Sequence, residues 1–322
     1  MNAPVLEVTD LCTEFTTREG TLVAVNNVSF SLRRGEILGL VGESGSGKSV
    51  TGFSLLGLVD APGKVVSGSI RLNGTELVGL SDSELRKRRG REIAMIFQDP
   101  IATLNPLLSI RQQMLMALSA HQSLGARAAE NRCVEVLQQV GIPEALSRLN
   151  AYPHEFSGGM RQRVAIAIAL LHGPAVLVAD EPTTALDVSI QAQILQQMRQ
   201  LAADTGTAMI WISHDLATVS SIAQTLYVMY AGRIVEQGPA KSVLRQPRHP
   251  YTQGLIDSLP GQLLAGETLQ QIPGSTPSLL SLPPGCAFAP RCSSATVNCN
   301  RQPEVQHIDK RRWRCHHPLT VA

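Results

Sequence analysis

The segment Gly42-Glu43-Ser44-Gly45-Ser46-Gly47-Lys48-Ser49 constrains this chain more than any other, because it stands between an apolar run, Ile37–Val41, and a helical pattern that opens at Lys48. A G-x-x-x-x-G-K-[ST] pattern between a strand and a helix is a phosphate-binding loop. Its glycines let backbone N–H groups converge on phosphate oxygens, and the helix adds the positive end of its dipole. Gly42, Ser44, Gly45, Ser46 and Gly47 then form the cradle, Lys48 reaches the β- and γ-phosphates, and the Ser49 hydroxyl ligates Mg²⁺. The plain alternative is a Gly/Ser turn beside a surface lysine, and the strand–loop–helix context argues against it.

A five-residue apolar run suits a strand buried on both faces of a parallel sheet. Further strand patterns fall at 69–72, 93–97, 175–179, 208–212, 226–230 and 233–236, and helical periodicity at 110–120, 127–140, 159–171 and 190–202. Strands alternating with helices predict an α/β domain over residues 1–238. Residues 99–165 carry helical patterns and no strand, so a helical subdomain is expected there. From 239 to 322 prolines multiply, with Pro-Gly at 260–261 and 273–274 and Pro-Pro-Gly at 283–285, which predicts a small loop-rich extension.

With 43% hydrophobic residues among 322, the chain can bury a core, which excludes wholesale disorder. A net charge of +2 makes no case for a nucleic-acid partner, although residues 286–322 hold six basic side chains against two acidic ones. The clean apolar runs reach only the length of 164–171, whereas a membrane span needs about 20 residues. No basic segment followed by an apolar stretch opens the chain, so a cytoplasmic location is expected.

Two further motifs carry chemistry. The apolar strand at 175–179 runs into Asp180-Glu181, which puts two carboxylates at the sheet edge where α/β folds bind ligands. Asp180 suits a Mg²⁺ shell and Glu181 the polarisation of an attacking water. Phe156-Ser157-Gly158-Gly159-Met160 opens a helix with Ser157 as its N-cap, a second place where an anion could be met.

Together these segments resemble the nucleotide-binding subunit of an ABC transporter, over roughly residues 4–240. The resemblance implies a P-loop NTPase fold of the ABC type that takes ATP and Mg²⁺. It also implies that Ser157, Gly158 and Gly159 contact the γ-phosphate held by an opposite subunit. Gln98, in Phe-Gln-Asp-Pro, matches the glutamine that senses Mg²⁺. Ala185-Leu186-Asp187 matches the loop that crosses the dimer, His214 the histidine on the γ-phosphate, and Phe15 the aromatic on adenine. The family's short motif commonly begins with Leu and ends with Gln, and Phe156 and Met160 stand at those places here.

The extension narrows the resemblance. Arg248-His249-Pro250-Tyr251-Thr252, Ile272-Pro273-Gly274 and Gly285-Cys286-Ala287-Phe288 are similar to the C-terminal region of oligopeptide and dipeptide permease ATP-binding subunits. His249-Pro250 also reads simply as a helix start with Pro at its first position. Cys286, Cys292, Cys299 and Cys315 are separated by five, six and fifteen residues. Without a closely spaced Cys pair, zinc is the lesser alternative. The expectation is a 4Fe–4S cluster, with Arg291, Arg311, Arg312 and Arg314 offsetting its charge, and reduced thiols as a third reading.

The function implied is ATP hydrolysis that powers import of di- and oligopeptides. The expected partners are a second, related but non-identical ATPase subunit, two transmembrane permease subunits and an extracytoplasmic peptide-binding protein. The chain would then lie peripherally on the cytoplasmic face of the membrane. The same-family alternative is import of glutathione or nickel. The different-class alternative, a soluble ABC ATPase outside transport, commonly carries two cassettes or a long coiled coil, and this chain has one phosphate loop and no sustained heptads.

Overall fold

A computed structural model of the chain describes residues 3–184, 186–259 and 271–320. They fall into two compact units, one within 1–5, 33–36 and 79–210 and the other within 6–32, 37–78 and 211–322.

In the first unit, strand Ile93–Ile96 runs parallel to strand Val176–Asp180, with Ile93 opposite Val176 and Ile96 opposite Ala179. Every residue of both is buried, which is why these runs show no polar alternation. Among the described residues no strand lies between Ile96 and Val176. The chain there forms helices Ile110–Ser119, Ala126–Gln139 and Gly158–Leu170, packed on one another. The first of these starts at a capping box, in which the Ser109 hydroxyl accepts from the Gln112 N–H and the Gln112 side chain accepts from the Ser109 N–H. Ile110, Met114 and Leu118 recur every four residues and sink against Cys133, Val136 and Leu137. Arg163 is buried among them, and burial lowers its pKa. It remains satisfied by donating to the Val140 carbonyl (2.6 Å), Gln197 Oε1 (2.6 Å) and Gln193 Oε1 (3.0 Å).

The second unit holds an antiparallel sheet in the order Gly20–Leu32, Leu6–Thr17, Gly63–Leu72, Thr75–Glu76. It also holds strand Ile37–Val41, parallel to Thr225–Tyr230, which pairs antiparallel with Arg233–Pro239. Strand Ala208–Ser213, fully buried, carries the chain from one unit into the other.

The extension is less loop-like than its composition predicts. Two short strands, Gln306–Ile308 and Arg311–Trp313, continue the sheet beyond Arg233–Pro239, with Glu236 opposite Trp313. Their sequences are polar because they form a sheet margin, and the periodicity of buried strands could not find them. Glu236 is fully buried. It accepts from the backbone N–H groups of Arg248 and His249 (both 2.9 Å) and from the Arg311 guanidinium (2.7 Å). A carboxylate shut away from water needs such partners. His249 caps helix Pro250–Asp257 through Nδ1, with proline in the first turn, so the plain reading of His249-Pro250 holds.

Removing the Glu236 carboxylate leaves Arg311 and two backbone donors without an acceptor. Glu236→Ala should destabilise the second unit by about 3 kcal/mol, read as a fall in denaturation midpoint. An unchanged midpoint would mean that this buried pair does not hold the extension in place.

Candidate active site

Gly47 precedes helix Lys48–Leu56 in a left-handed conformation (φ +103°). A Cβ there would lie 2.2 Å from the Ala24 carbonyl oxygen, and one on Gly42 would lie 2.1 Å from that of Met229. The loop is therefore closed to any side chain at these two positions, where it packs directly on the backbone of Ala24 and Met229. Lys48 is 5% exposed, and its ammonium donates to the carbonyls of Gly42 (2.8 Å) and Glu43 (2.9 Å). Ser46 is buried, Ser49 half-buried, and Ser44 and Gly45 lie exposed at the mouth. This cradle fits the triphosphate and the Mg²⁺ implied by the sequence.

Glu43, at one of the motif's variable positions, is tied to the C-terminal extension by several bonds. Arg291 grips its carboxylate through two bonds, NH1 to Oε2 (2.6 Å) and NH2 to Oε1 (2.9 Å). Thr276 donates to the same carboxylate (3.2 Å), and the Glu43 N–H donates to the Tyr251 hydroxyl (2.8 Å). Arg291 is itself fixed by the Pro273 carbonyl (2.8 Å) and lies 5.9 Å from the ring centres of Tyr230 and Phe288. A bidentate pair with a guanidinium this buried sets the loop's entry geometry from the C-terminal extension.

Phe15, half-buried in strand Leu6–Thr17, pairs with Leu22 and Gly63, and any Cβ on Gly63 would strike its ring. His214 is exposed between strand Ala208–Ser213 and helix Leu216–Ile222, whose N-cap is Asp215. Both belong, with the phosphate loop, to the second unit.

The acids lie in the first unit. Asp180, 3% exposed, ends its strand, and Glu181 follows with φ +46°, a conformation that costs a non-glycine residue energy. Glu181 Oε2 accepts from Gln98 Nε2 (3.0 Å) and from the Thr184 hydroxyl (3.2 Å). Gln98 and Glu181, 83 residues apart, are thus joined, a pairing that no sequence motif announces. Ser157 caps helix Gly158–Leu170 by accepting from the Met160 N–H (3.4 Å), and both Ser157 and Gly158 are exposed. A Cβ on Gly159 would meet Ile190 at 2.8 Å. Asp187 is the N-cap residue of helix Val188–Thr205 and is exposed. Ala185 lies outside the described residues.

The iron–sulfur expectation and its zinc alternative are not supported. Cys286, Cys292, Cys299 and Cys315 do line one cavity, yet its volume is about 10 Å³, room for a water at most. Among the described residues no group of three or more His, Cys, Asp or Glu side chains is disposed to hold a metal ion. All four cysteines are free thiols. Burial pushes the Cys286 and Cys292 thiols up, and that of Cys315 up to about 11, whereas metals bind the thiolate. Nor are Arg291 and Arg311 committed to a cluster, since they neutralise Glu43 and Glu236. His316 pairs with the Arg301 carbonyl and His317 with Thr296. The thiols act as small, soft fillers of the extension's core.

The family described as ABC transporter matches residues 25–184, and the region described as oligopeptide/dipeptide transporter, C-terminal region, matches 235–299. The chain is 48% identical to the oligopeptide transport ATP-binding protein OppD of Escherichia coli, over 98% of this chain and 93% of that one. To OppD of Haemophilus influenzae it is also 48% identical, over 94% and 93% respectively. Among solved structures it resembles a dimeric post-hydrolysis state of an ATP-binding cassette bound to ADP and Pi. That likeness has a TM-score of 0.66 at 26% identity and covers 73% of this chain and 98% of that one. With a phosphate loop, an acid-terminated strand, a capped Ser-Gly-Gly helix and a near full-length likeness to these ATP-binding proteins, the chain belongs to the ABC transporter family, in its oligopeptide/dipeptide branch.

Proposed function

We propose that this chain hydrolyses ATP to drive import of di- and oligopeptides across a membrane, as one of two motor subunits bound to a pair of permease subunits fed by an extracytoplasmic peptide-binding protein. The observation that carries the ATPase reading is the cradle, with Gly42 and Gly47 closed to side chains and Lys48 folded into its curl. The peptide reading is supported by the relatives' descriptions and by the matched C-terminal region. No helix among the described residues is long and apolar enough to cross a membrane. Peripheral attachment at the cytoplasmic face, through the permease subunits, follows from the proposed assembly. Residues 1–238 serve as the motor cassette, with a helical subdomain at about 99–165, and residues 239–322 as its extension.

In this mechanism Lys48 and the loop amides bind and orient the β- and γ-phosphates. Ser49, Asp180 and the Gln98 amide oxygen are the residues that would hold Mg²⁺, which supplies charge neutralisation on the transferring phosphoryl group. Glu181 takes the proton of the attacking water. Gln98 and Thr184, by donating to Oε2, keep that carboxylate oriented. His214 contacts the γ-phosphate and Phe15 the adenine. Ser157, Gly158 and Gly159 act on the nucleotide of the opposite subunit, a role that suits the exposure of Ser157 and Gly158. Asp187 belongs to the loop that crosses between subunits. At Met160 only the backbone N–H is engaged, so the motif works here without a terminal side-chain amide.

Glu181→Gln should keep ATP binding and lower turnover by about 10²–10⁴-fold, because the cradle survives while the base is lost. Lys48→Ala should instead weaken nucleotide binding itself; equilibrium binding and phosphate release, measured side by side in the assembled complex, separate the two effects. Undiminished release by the glutamine variant would remove Glu181 from its role. Arg291→Gln should raise the Kd for ATP by about tenfold with little change in bound-state turnover, since it frees Glu43 without touching the chemistry. Native mass determination of the complex should find one copy of this chain and one of a related chain, and two identical copies would overturn the heteromeric assembly.

A further inference from the structure

Beneath the start of the extension lies a cavity of about 160 Å³ whose wall includes Asn26, Arg233, His249, Phe288, Gln302 and Arg314. It is smaller than the roughly 300 Å³ at which pockets for drug-sized ligands begin, and it is fifteenfold or more larger than the space left between the cysteines. Its polar lining includes two guanidiniums, an imidazole and two side-chain amides. Arg233 and Arg314 are half-buried, and among the described residues neither side chain makes an ion pair or a hydrogen bond. The acid whose charge Arg314 feels, Asp10, already accepts from the Ser29 hydroxyl at 3.0 Å. His249 Nδ1 accepts from the Tyr251 N–H, so the ring proton sits on Nε2, which is buried and has no partner. Asn26 and the exposed Gln302 add side-chain amides that have no hydrogen-bond partner among the described residues.

Two guanidiniums held partly out of water with no carboxylate bonded to either are unfavourable, as is a buried N–H without an acceptor. Burial pulls the pKa of both arginines down, and on Arg233 the nearby charge of Arg314 adds to it. Elsewhere in this extension the opposite solution is used: Arg291 and Arg311 each meet a carboxylate. From the unpaired arginines, the orphan histidine donor and the cavity that all three line, we propose that this cavity is a binding site for a small oxyanion of phosphate size, distinct from the phosphate loop. A dianion supplies the missing counter-charge and accepts from the guanidiniums in the bidentate manner that arginine favours. Phe288 and the rest of the apolar wall exclude a nucleotide base for want of room. Tyr230 and Phe288 contact both this cavity and Arg291, so occupancy would bear on the residues that hold Glu43.

The test is calorimetric titration with inorganic phosphate at constant ionic strength, on the full chain saturated with Mg²⁺ and a non-hydrolysable ATP analogue so that the phosphate loop is filled. One phosphate per chain should bind to the wild type. Arg233→Gln with Arg314→Gln should weaken it by at least about tenfold. Asn26→Asp, which sets a carboxylate of the same shape beside the cavity, should do likewise. Without phosphate, the double variant should be no less stable than the wild type, since it removes two half-buried charges that no carboxylate is bonded to. Phosphate binding that vanishes when the analogue is present, or that ignores all these substitutions, would overturn the site. So would a failure to bind phosphate up to the millimolar range.

Discussion

The bidentate bond between Glu43 and Arg291 is the interaction on which the nucleotide half of the second unit depends. It joins the phosphate loop to a residue 248 positions away, in a segment whose proline content alone suggests an optional appendage. A surface ion pair would contribute little. This one has a 5% exposed guanidinium, two parallel bonds, a threonine donor and aromatic neighbours, so its geometry is fixed. The extension is thereby part of the nucleotide site's support. Glu236 repeats the arrangement two strands away, where a buried carboxylate is met by Arg311 and two backbone donors.

What the sequence disclosed and what it hid divide along a physical line. The cradle, the acidic strand end and the capped Ser157 helix were legible because each is a local device, with backbone freedom, dipole and chemistry encoded within eight residues. The buried strands were legible because their burial on two faces leaves an uninterrupted apolar run. Glu43 was passed over because its partner is remote and nothing about a glutamate in a loop specifies which cation it meets. The same holds for the Gln98–Glu181 bond. The margin strands Gln306–Ile308 and Arg311–Trp313 carry no hydrophobic alternation to detect. The cysteines misled for a different reason: spacing reports which thiols could converge, but not whether their site leaves room for a metal or favours their ionised form. Here burial does neither.

In the first unit, cost and chemistry coincide at Glu181. Its left-handed backbone is held by what surrounds it: a strand with no exposed residue on one side and the Thr184 turn on the other. Gln98 approaches from the end of the neighbouring strand, so the register of Ile93–Ile96 on Val176–Asp180 also sets where that carboxylate is held. A slip of one residue between these strands would separate acceptor from donor.

The long reach of the two buried pairs has a consequence for how the protein is made. The phosphate loop emerges from the ribosome among the first fifty residues, but the guanidinium that fixes it is synthesised 248 residues later, and the one that neutralises Glu236 follows that glutamate by 75. Until then a nascent chain carries one carboxylate in its loop and another in its sheet with neither counter-charge available. The loop therefore cannot reach its final form until Arg291 has left the ribosome. A message truncated before the codon for Arg291 yields an apparently complete cassette whose loop has lost its far anchor.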